Sequence, residues 1–448
     1  MAGIVIRGIA PAFPGIQGVR GAVMTGEEVL KMTLGDGINS RAARRVSSAI
    51  EGKSGIKLRN IIDSSLLDPN TYLAAAAGHK LLKKLNISPS NVQGFIFASN
   101  TADYIFPPPG VPVFKSLGIN PLKFANSATA CSSFINALES ASFWLQSGIV
   151  ENVMVIACDI TTRLSLPNNV AERLLFGDGA VAVMLERGKD DEKGGFVLTQ
   201  TSFLEDSSDL VQHKNYRPYD FKREIDMKLK GQNAQSLFSA NGHTSDNLYN
   251  LLFGDHHLND EGYSILGSVD GREWAYIVMD IMDIDKLPDK IIPPQIGNTV
   301  ILKGLAVIRD LQGTDISSQV VKNSFQEHGN TGAAAHPIAL YEARESGELT
   351  KENSFGVPYV PLGGVNGYLA YDPNQEEIIT FIKTNEEKRT PREDYKTVIE
   401  RKRGEIEAAS NGFGFRMLAK LGINLTRSVQ LGPDGDYVHR IQNEIAKL

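Results

Sequence analysis

The chain has 448 residues, 42% hydrophobic and 22% charged, with a net charge of −6 at pH 7. That balance suits an ordinary globular enzyme of two or three domains or one large double-unit fold, and its acidic sign argues against a broad nucleic-acid footprint. No run of about 18 apolar residues offers a membrane span, and two cysteines, Cys131 and Cys158, make no disulfide framework, so a cytoplasmic setting is expected.

Met1–Gly8 lacks the basic and apolar regions of a signal peptide and reads as a first strand. Helical patterns follow around 27–33, 40–51 and 71–85, separated by Pro11, Pro14 and the Ser54–Arg59 stretch. Gly94–Ser99 is an apolar strand ending in small polar residues. Pro107, Pro108 and Pro109 impose a loop before a short helix at 112–117, with Gly118 as its stop. A helical unit at 131–146 leads into the apolar strand Val153–Ala157, and Gly177–Leu185 reads as a glycine-rich turn running into a strand. Strands alternating with helices predict a layered α/β fold. From about 204 to 262 the apolar periodicity weakens and His213, His243, His256 and His257 gather, which reads as an insertion. Their spacing fits no zinc pattern, so no metal is expected. Order returns at Ala275–Met279. A helix through Leu311 ends at Gly313, 320–325 is a strand candidate, and His328–Ala335 opens a helix to Glu345. Phe355–Tyr371 contains a glycine bend at Gly363-Gly364. Beyond Asp372 come a strand candidate at 375–384 and helical patterns at 394–409, 413–421 and 437–448. The mixed-sign run at 386–407 reads as a solvated helix face.

Chemistry centres on Ser127–Gly148. Small residues lead up to Cys131, and Phe134, Leu138, Ala141 and Leu145 then recur with helical period. This places Cys131 at the first turn of a helix, where unpaired N–H groups and the dipole would hold its thiol pKa below the ordinary value and make it a nucleophile. A small buried cysteine without chemistry fits the same stretch. Strand, small-residue bend and helix recur at Asn330, a hint of two related halves.

Six stretches in order resemble the thiolase superfamily, and most of all the β-ketoacyl-acyl-carrier-protein synthase III family: S-G-I-K-L-R (54–59), S-N-T-A-D-Y-I-F-P (99–107), N-S-A-T-A-C-S-S-F (126–134), L-F-G-D-G-A-V-A-V (175–183), H-G-N-T-G-A-A-A-H-P-I-A-L (328–340) and P-L-G-G-V-N-G-Y (361–368). The resemblance implies a five-layer αβαβα fold of two similar halves, 1–190 and 191–372, with the insertion in the second half and a mostly helical extension over 373–448. It implies a dimer, either a homodimer or a heterodimer with a related synthase. It also implies acyl-CoA or acyl carrier protein as partners, with no cofactor beyond these thioesters. Cys131 would take the acyl group and Asn330 would donate to a thioester carbonyl as the enolate forms. The backbone of Cys131 and of Gly363-Gly364 would form an oxyanion hole. Asn330 also fits a local cap at its bend, and His328 reads as structural.

One departure stands out. The family carries a catalytic histidine in a P-H-Q-A-N stretch, where this chain has Pro293-Pro294-Gln295-Ile296-Gly297-Asn298. Pro294 or Gln295 occupies the histidine position, and neither shuttles protons near neutral pH. Three accounts are open. A relocated base can come from His336, His213, His243, His256 or His257. The chemistry can be acyl transfer to an amine or alcohol. Or the chain can be a non-catalytic partner subunit. The insertion and extension suggest a specialised substrate, as in secondary metabolism.

Overall fold

The computed structural model describes residues 3–34, 40–163, 170–189, 192–200, 272–282, 287–359, 367–375 and 379–383. The first sheet contains β1 (Ile4–Ala12), β4 (Gly94–Ala98), β5 (Lys123–Ser127), β6 (Asn152–Ile160) and β7 (Asp178–Arg187), in the order β1-β7-β6-β4-β5. β7 runs antiparallel to β1 and β6, whereas β6, β4 and β5 run parallel. β4 is buried at every position, as its unbroken Gly-Phe-Ile-Phe-Ala run requires of a strand covered on both faces. β5 lies at the sheet edge and is largely exposed.

A second sheet has the order β12-β8-β11-β10-β9, from β8 (Gly195–Gln200), β9 (Lys290–Ile291), β10 (Phe355–Tyr359), β11 (Gly367–Asp372) and β12 (Ile379–Lys383). Here β8 pairs antiparallel with β11, β11 antiparallel with β10, and β10 parallel with β9. This repeats the β1-β7-β6-β4 scheme of the first sheet. An isolated parallel bridge from Ile291 to Val320 stands where β5 stands in the first sheet.

Packing stacks these sheets into five layers. α5 (Ser133–Gln146) and α10 (Ala335–Glu345) fill the middle, sharing one core with Val155 and Val183 of the first sheet and Phe355 and Leu369 of the second. α3 (Pro69–Leu85) and α4 (Gly110–Ser116) cover the outer face of the first sheet. α7 (Arg272–Met282) and α8 (Asn298–Gln312) cover that of the second, with Trp274 fully buried. Helix ends follow their sequence signals: Pro69 opens α3, Asn86 closes it in the left-handed region, and Gly313 closes α8 at φ 66°.

Two expectations need correction. Residues 320–325 form no strand. The Gln295 Oε1 accepts from the Ser324 N–H and Oγ, at 3.0 and 3.1 Å, and this bends the chain away from β9 into the short α9 (Phe325–His328). The Asn330 bend therefore follows a helical turn, not a strand. Conversely, β5 and β8 were not expected, nor was the pair β2 (Gly21–Thr25) and β3 (Leu58–Ile62); Arg59 and Asn60 interrupt the apolar pattern of β3, and Asn126 that of β5. The expected insertion at 204–262 and the helices at 394–409, 413–421 and 437–448 lie outside the described residues.

Candidate active site

Cys131 stands in the tight turn between β5 and α5. Ala130, just before it, adopts the left-handed region at φ 52°. For a residue with a Cβ this costs about 1–2 kcal/mol, so the surrounding contacts must impose it. They come from Asn100, at the end of β4. Its Oδ1 accepts from the Ala130 N–H at 2.9 Å, and its Nδ2 donates to the Ala130 carbonyl at 3.1 Å. Within the turn, the Ser133 Oγ accepts from the Thr129 N–H at 2.8 Å, and Asn136 donates to the Thr129 hydroxyl at 2.8 Å. The result is a strained elbow between a strand and a helix, a form that presents a nucleophile.

The expected thiol acidity is corrected by this geometry. α5 begins at Ser133, so Cys131 precedes the helix instead of lying in its first turn. Burial, with the Asp159 carboxylate nearby, pushes the Cys131 thiol up to about 11. The resting site thus holds a neutral thiol that needs a proton acceptor. Cys158, fully buried, donates its thiol to the Asn70 carbonyl at 3.5 Å and faces away from chemistry.

Asn330 sits in a turn between α9 and α10. Its backbone is stapled to the Leu175–Gly177 turn: the Asn330 N–H donates to the Leu175 carbonyl at 2.9 Å, and the Gly177 N–H donates to the Asn330 carbonyl at 3.1 Å. A Cβ at Gly177 would collide with the His328 carbonyl, so only glycine allows this approach. The Asn330 Oδ1 accepts from the Gly332 N–H at 3.0 Å, which is the expected local cap and leaves the Nδ2 as the donor end of the amide. His328 is structural in its contacts. It stacks on Phe13, and its ring nitrogens meet the Asn60 Oδ1 at 2.7 Å and the Glu342 Oε1 at 2.8 Å.

Gln295 is buried and committed. Its Nε2 donates to the Pro293 carbonyl at 2.9 Å while its Oε1 holds Ser324; Pro294 is likewise buried. Of the candidate bases, His336 is the one within the described residues. It lies in the first turn of α10, 3% exposed, and neither ring nitrogen has a hydrogen-bond partner. Burial holds its pKa down to about 4, partly offset by the nearby main chain of Cys131. A neutral imidazole therefore rests beside the Cys131 main chain. His213, His243, His256, His257, Gly363 and Gly364 lie outside the described residues.

Two residues that sequence reasoning did not single out tie this site together. Asp159, at the end of β6, is 1% exposed and accepts from the Asn100 N–H at 2.7 Å, the Asn100 Nδ2 at 2.9 Å and the Ala333 N–H at 2.7 Å. A signal was present, since both Asn100 and Asp159 fall just where parallel strands end, the side on which open α/β sheets place their sites. Among the described residues no cluster of histidine, cysteine and carboxylate side chains is arranged to hold a metal, and no helix is long and apolar enough to cross a membrane.

Comparison with known proteins agrees with this architecture. Residues 126–202, which include Cys131 and Asp159, match the family described as 3-oxoacyl-[acyl-carrier-protein] synthase III. The chain is 28% identical over 324 residues to a β-ketoacyl-[acyl-carrier-protein] synthase III of Porphyromonas gingivalis, covering 71% of this chain and 87% of that relative. It is 27% identical over 337 residues to that of Trichodesmium erythraeum, covering 74% and 93%. Among solved structures, the 3-oxoacyl-[acyl-carrier-protein] synthase III of Aquifex aeolicus superposes with a TM-score of 0.57 at 20% identity, covering 83% of this chain and all of that one. The 3-oxoacyl-(acyl-carrier protein) synthase of Burkholderia xenovorans gives 0.57 at 19%, covering 85% and 97%. Five layers and two sheets of repeated topology give this chain the fold of these synthases, and the stretch around Cys131 is similar to their family.

Proposed function

We propose that this protein loads an acyl group onto Cys131 as a thioester and passes it to a carbon nucleophile, as a condensing enzyme of ketosynthase III type. The observation that carries this reading is the hydrogen-bonded join, through Asp159, between the strained Cys131 elbow and the turn bearing Asn330. In the first half-reaction the Cys131 sulfur attacks the donor thioester carbonyl while its proton passes to the neutral His336 ring. The carrier thiolate leaves and takes up a proton, which restores His336. In the second, the bond from the α-carbon of a malonyl-type thioester to its carboxylate breaks and CO2 leaves, while the Asn330 Nδ2 donates to the thioester carbonyl oxygen as the enolate forms. That carbon attacks the acyl-cysteine, forming the C–C bond as the C–S bond to Cys131 breaks, and the released thiolate takes a proton from water. His336 acts on the sulfur rather than on the second thioester, because its nitrogens are closed to solvent.

Acyl-CoA or an acyl carrier protein serves as donor. Ser40, Arg41, Arg44, Arg45 and Ser48 of α2 (Ser40–Ser54) line a surface hollow of about 730 Å³, cationic enough to meet phosphate. The exposed edge of β5, with Leu122 at 75% exposure beside it, supports a homodimer in which a second copy extends the sheet. A cytoplasmic setting accords with the reduced cysteines, and the long insertion and extension accord with a specialised substrate.

One observation favours a second reading. Gln295, which stands in sequence at the family's histidine position, is fixed to Pro293 and Ser324 and carries no titratable proton. Transfer of the acyl group from Cys131 to an amine or alcohol demands less of that position. Product analysis after loading decides: a malonyl thioester yielding a β-ketoacyl product with loss of CO2 supports condensation, and an ester or amide formed instead supports transfer.

A further inference from the structure

A single buried carboxylate links the two halves of the site. Asp159 reaches the C-terminal half by accepting from the Ala333 N–H at 2.7 Å, three residues beyond Asn330. It packs so closely under Gly332, at φ 59°, that a side chain there would collide with its Oδ2. On its other side it takes the Asn100 N–H and Nδ2, at 2.7 and 2.9 Å. Asn100 then grips both backbone polar groups of the left-handed Ala130, whose next neighbour is Cys131. The amide of Asn100 is needed for both ends of this grip. A carboxylate at that position can accept from the Ala130 N–H but cannot donate to its carbonyl or to Asp159.

We infer that Asn100 and Asp159 are positioning residues, which set the Cys131 sulfur in register with the Asn330 turn. They touch neither substrate nor the reacting atoms. Their effect reaches the reaction through Ala130 on one side and Ala333 on the other. This inference rests on the reading of Cys131 as acyl acceptor, but alkylation of that thiol tests it without an acyl donor.

The variants are Asn100→Asp, Asn100→Ala and the double variant Asn100→Asp/Asp159→Asn, which restores a donor facing an acceptor between positions 100 and 159. Acylation of Cys131 by a panel of acyl-CoAs is followed by intact mass at varied donor concentration, and alkylation by iodoacetamide at pH 8. A misplaced reacting group costs on the order of 10²-fold. Asn100→Asp and Asn100→Ala are therefore expected to lower the maximal acylation rate about 100-fold with the half-saturating donor concentration within about 3-fold. The double variant should recover about 10-fold over Asn100→Asp. Asn100→Ala, with a loosened and better hydrated elbow, should alkylate about 10-fold faster than wild type. The inference is overturned if both single variants acylate and alkylate within 2-fold of wild type, or if the double variant is no faster than Asn100→Asp. A loss confined to donor affinity also overturns it. Should wild type form no acyl adduct with any donor, the functional reading fails. The clamp then stands or falls on the alkylation rates, which also serve if Asn100→Asp does not fold.

Discussion

His336 offers a substitution in which stability and activity move in opposite directions. Its ring is buried, with the Cys131 main chain as its polar neighbour and no well-formed hydrogen bond, and a buried polar group poorly matched costs about 1–3 kcal/mol. Leucine has nearly the same volume and no polar atom, so His336→Leu should stabilise the fold by about 1–3 kcal/mol at pH 7.5 and raise Tm by a few degrees. The sign of the pH effect follows from the burial. The native ring titrates at about 4 and the unfolded one near 6.5, so between these values the unfolded chain binds the proton first. Native stability therefore falls as pH drops from about 6.5, by an amount reaching on the order of 3 kcal/mol near pH 4. The leucine variant lacks this contribution, and its advantage over wild type should widen across that window. Acylation of Cys131, by contrast, should slow by about 10²–10⁴-fold, the usual contribution of a general base. Thermal melts at pH 7.5 and 5, paired with rapid-quench intact mass, measure both. A variant more stable than wild type that acylates at the full rate would refute the base assignment. One less stable at pH 7.5 would show that the ring has partners it depends on.

The remaining expectations concern the thiol, the asparagine and the arginines. Because burial and Asp159 push the Cys131 thiol up to about 11, its alkylation by iodoacetamide should rise about tenfold per pH unit from 7 to 10; a plateau near pH 8 would contradict the neutral resting thiol. Asn330→Ala should keep the acyl adduct on Cys131 yet slow condensation by about 10²–10³-fold, as seen in product formation after loading. Loss of the adduct itself would make Asn330 a structural cap only. Arg41→Glu combined with Arg45→Glu should raise the KM for a phosphate-bearing donor at least tenfold with kcat little changed, and an unchanged KM removes the α2 hollow from donor binding.

Much of the architecture is legible because its signals are local. The apolar run of β4, the helical period after Ser133, and the stops at Gly118 and Gly313 each specify their element without help from distant residues. The 320–325 segment misleads for the opposite reason. Its apolar start promises a strand, but a side chain from another segment, Gln295, captures the Ser324 N–H that a ladder would need. The site divides the same way. The bends that carry Cys131 and Asn330 are visible in their small residues. The acidity of the thiol is not, because it depends first on burial and then on Asp159, 28 residues downstream in β6, both of which raise the thiol pKa where a helix terminus alone would lower it. Asn100 shows in sequence only as a small polar residue after a strand. Its role emerges when β4 and β5 pair and bring it against Ala130.

The account as a whole turns on whether Cys131 carries an acyl group. Intact-protein mass spectrometry after incubation with a panel of acyl-CoAs and acyl carrier proteins, followed by peptide mapping, asks this directly. The expected result is a single thioester adduct on the peptide containing Cys131, released by hydroxylamine and absent from Cys131→Ala. No adduct with any donor, or an adduct that persists in Cys131→Ala, would contradict it.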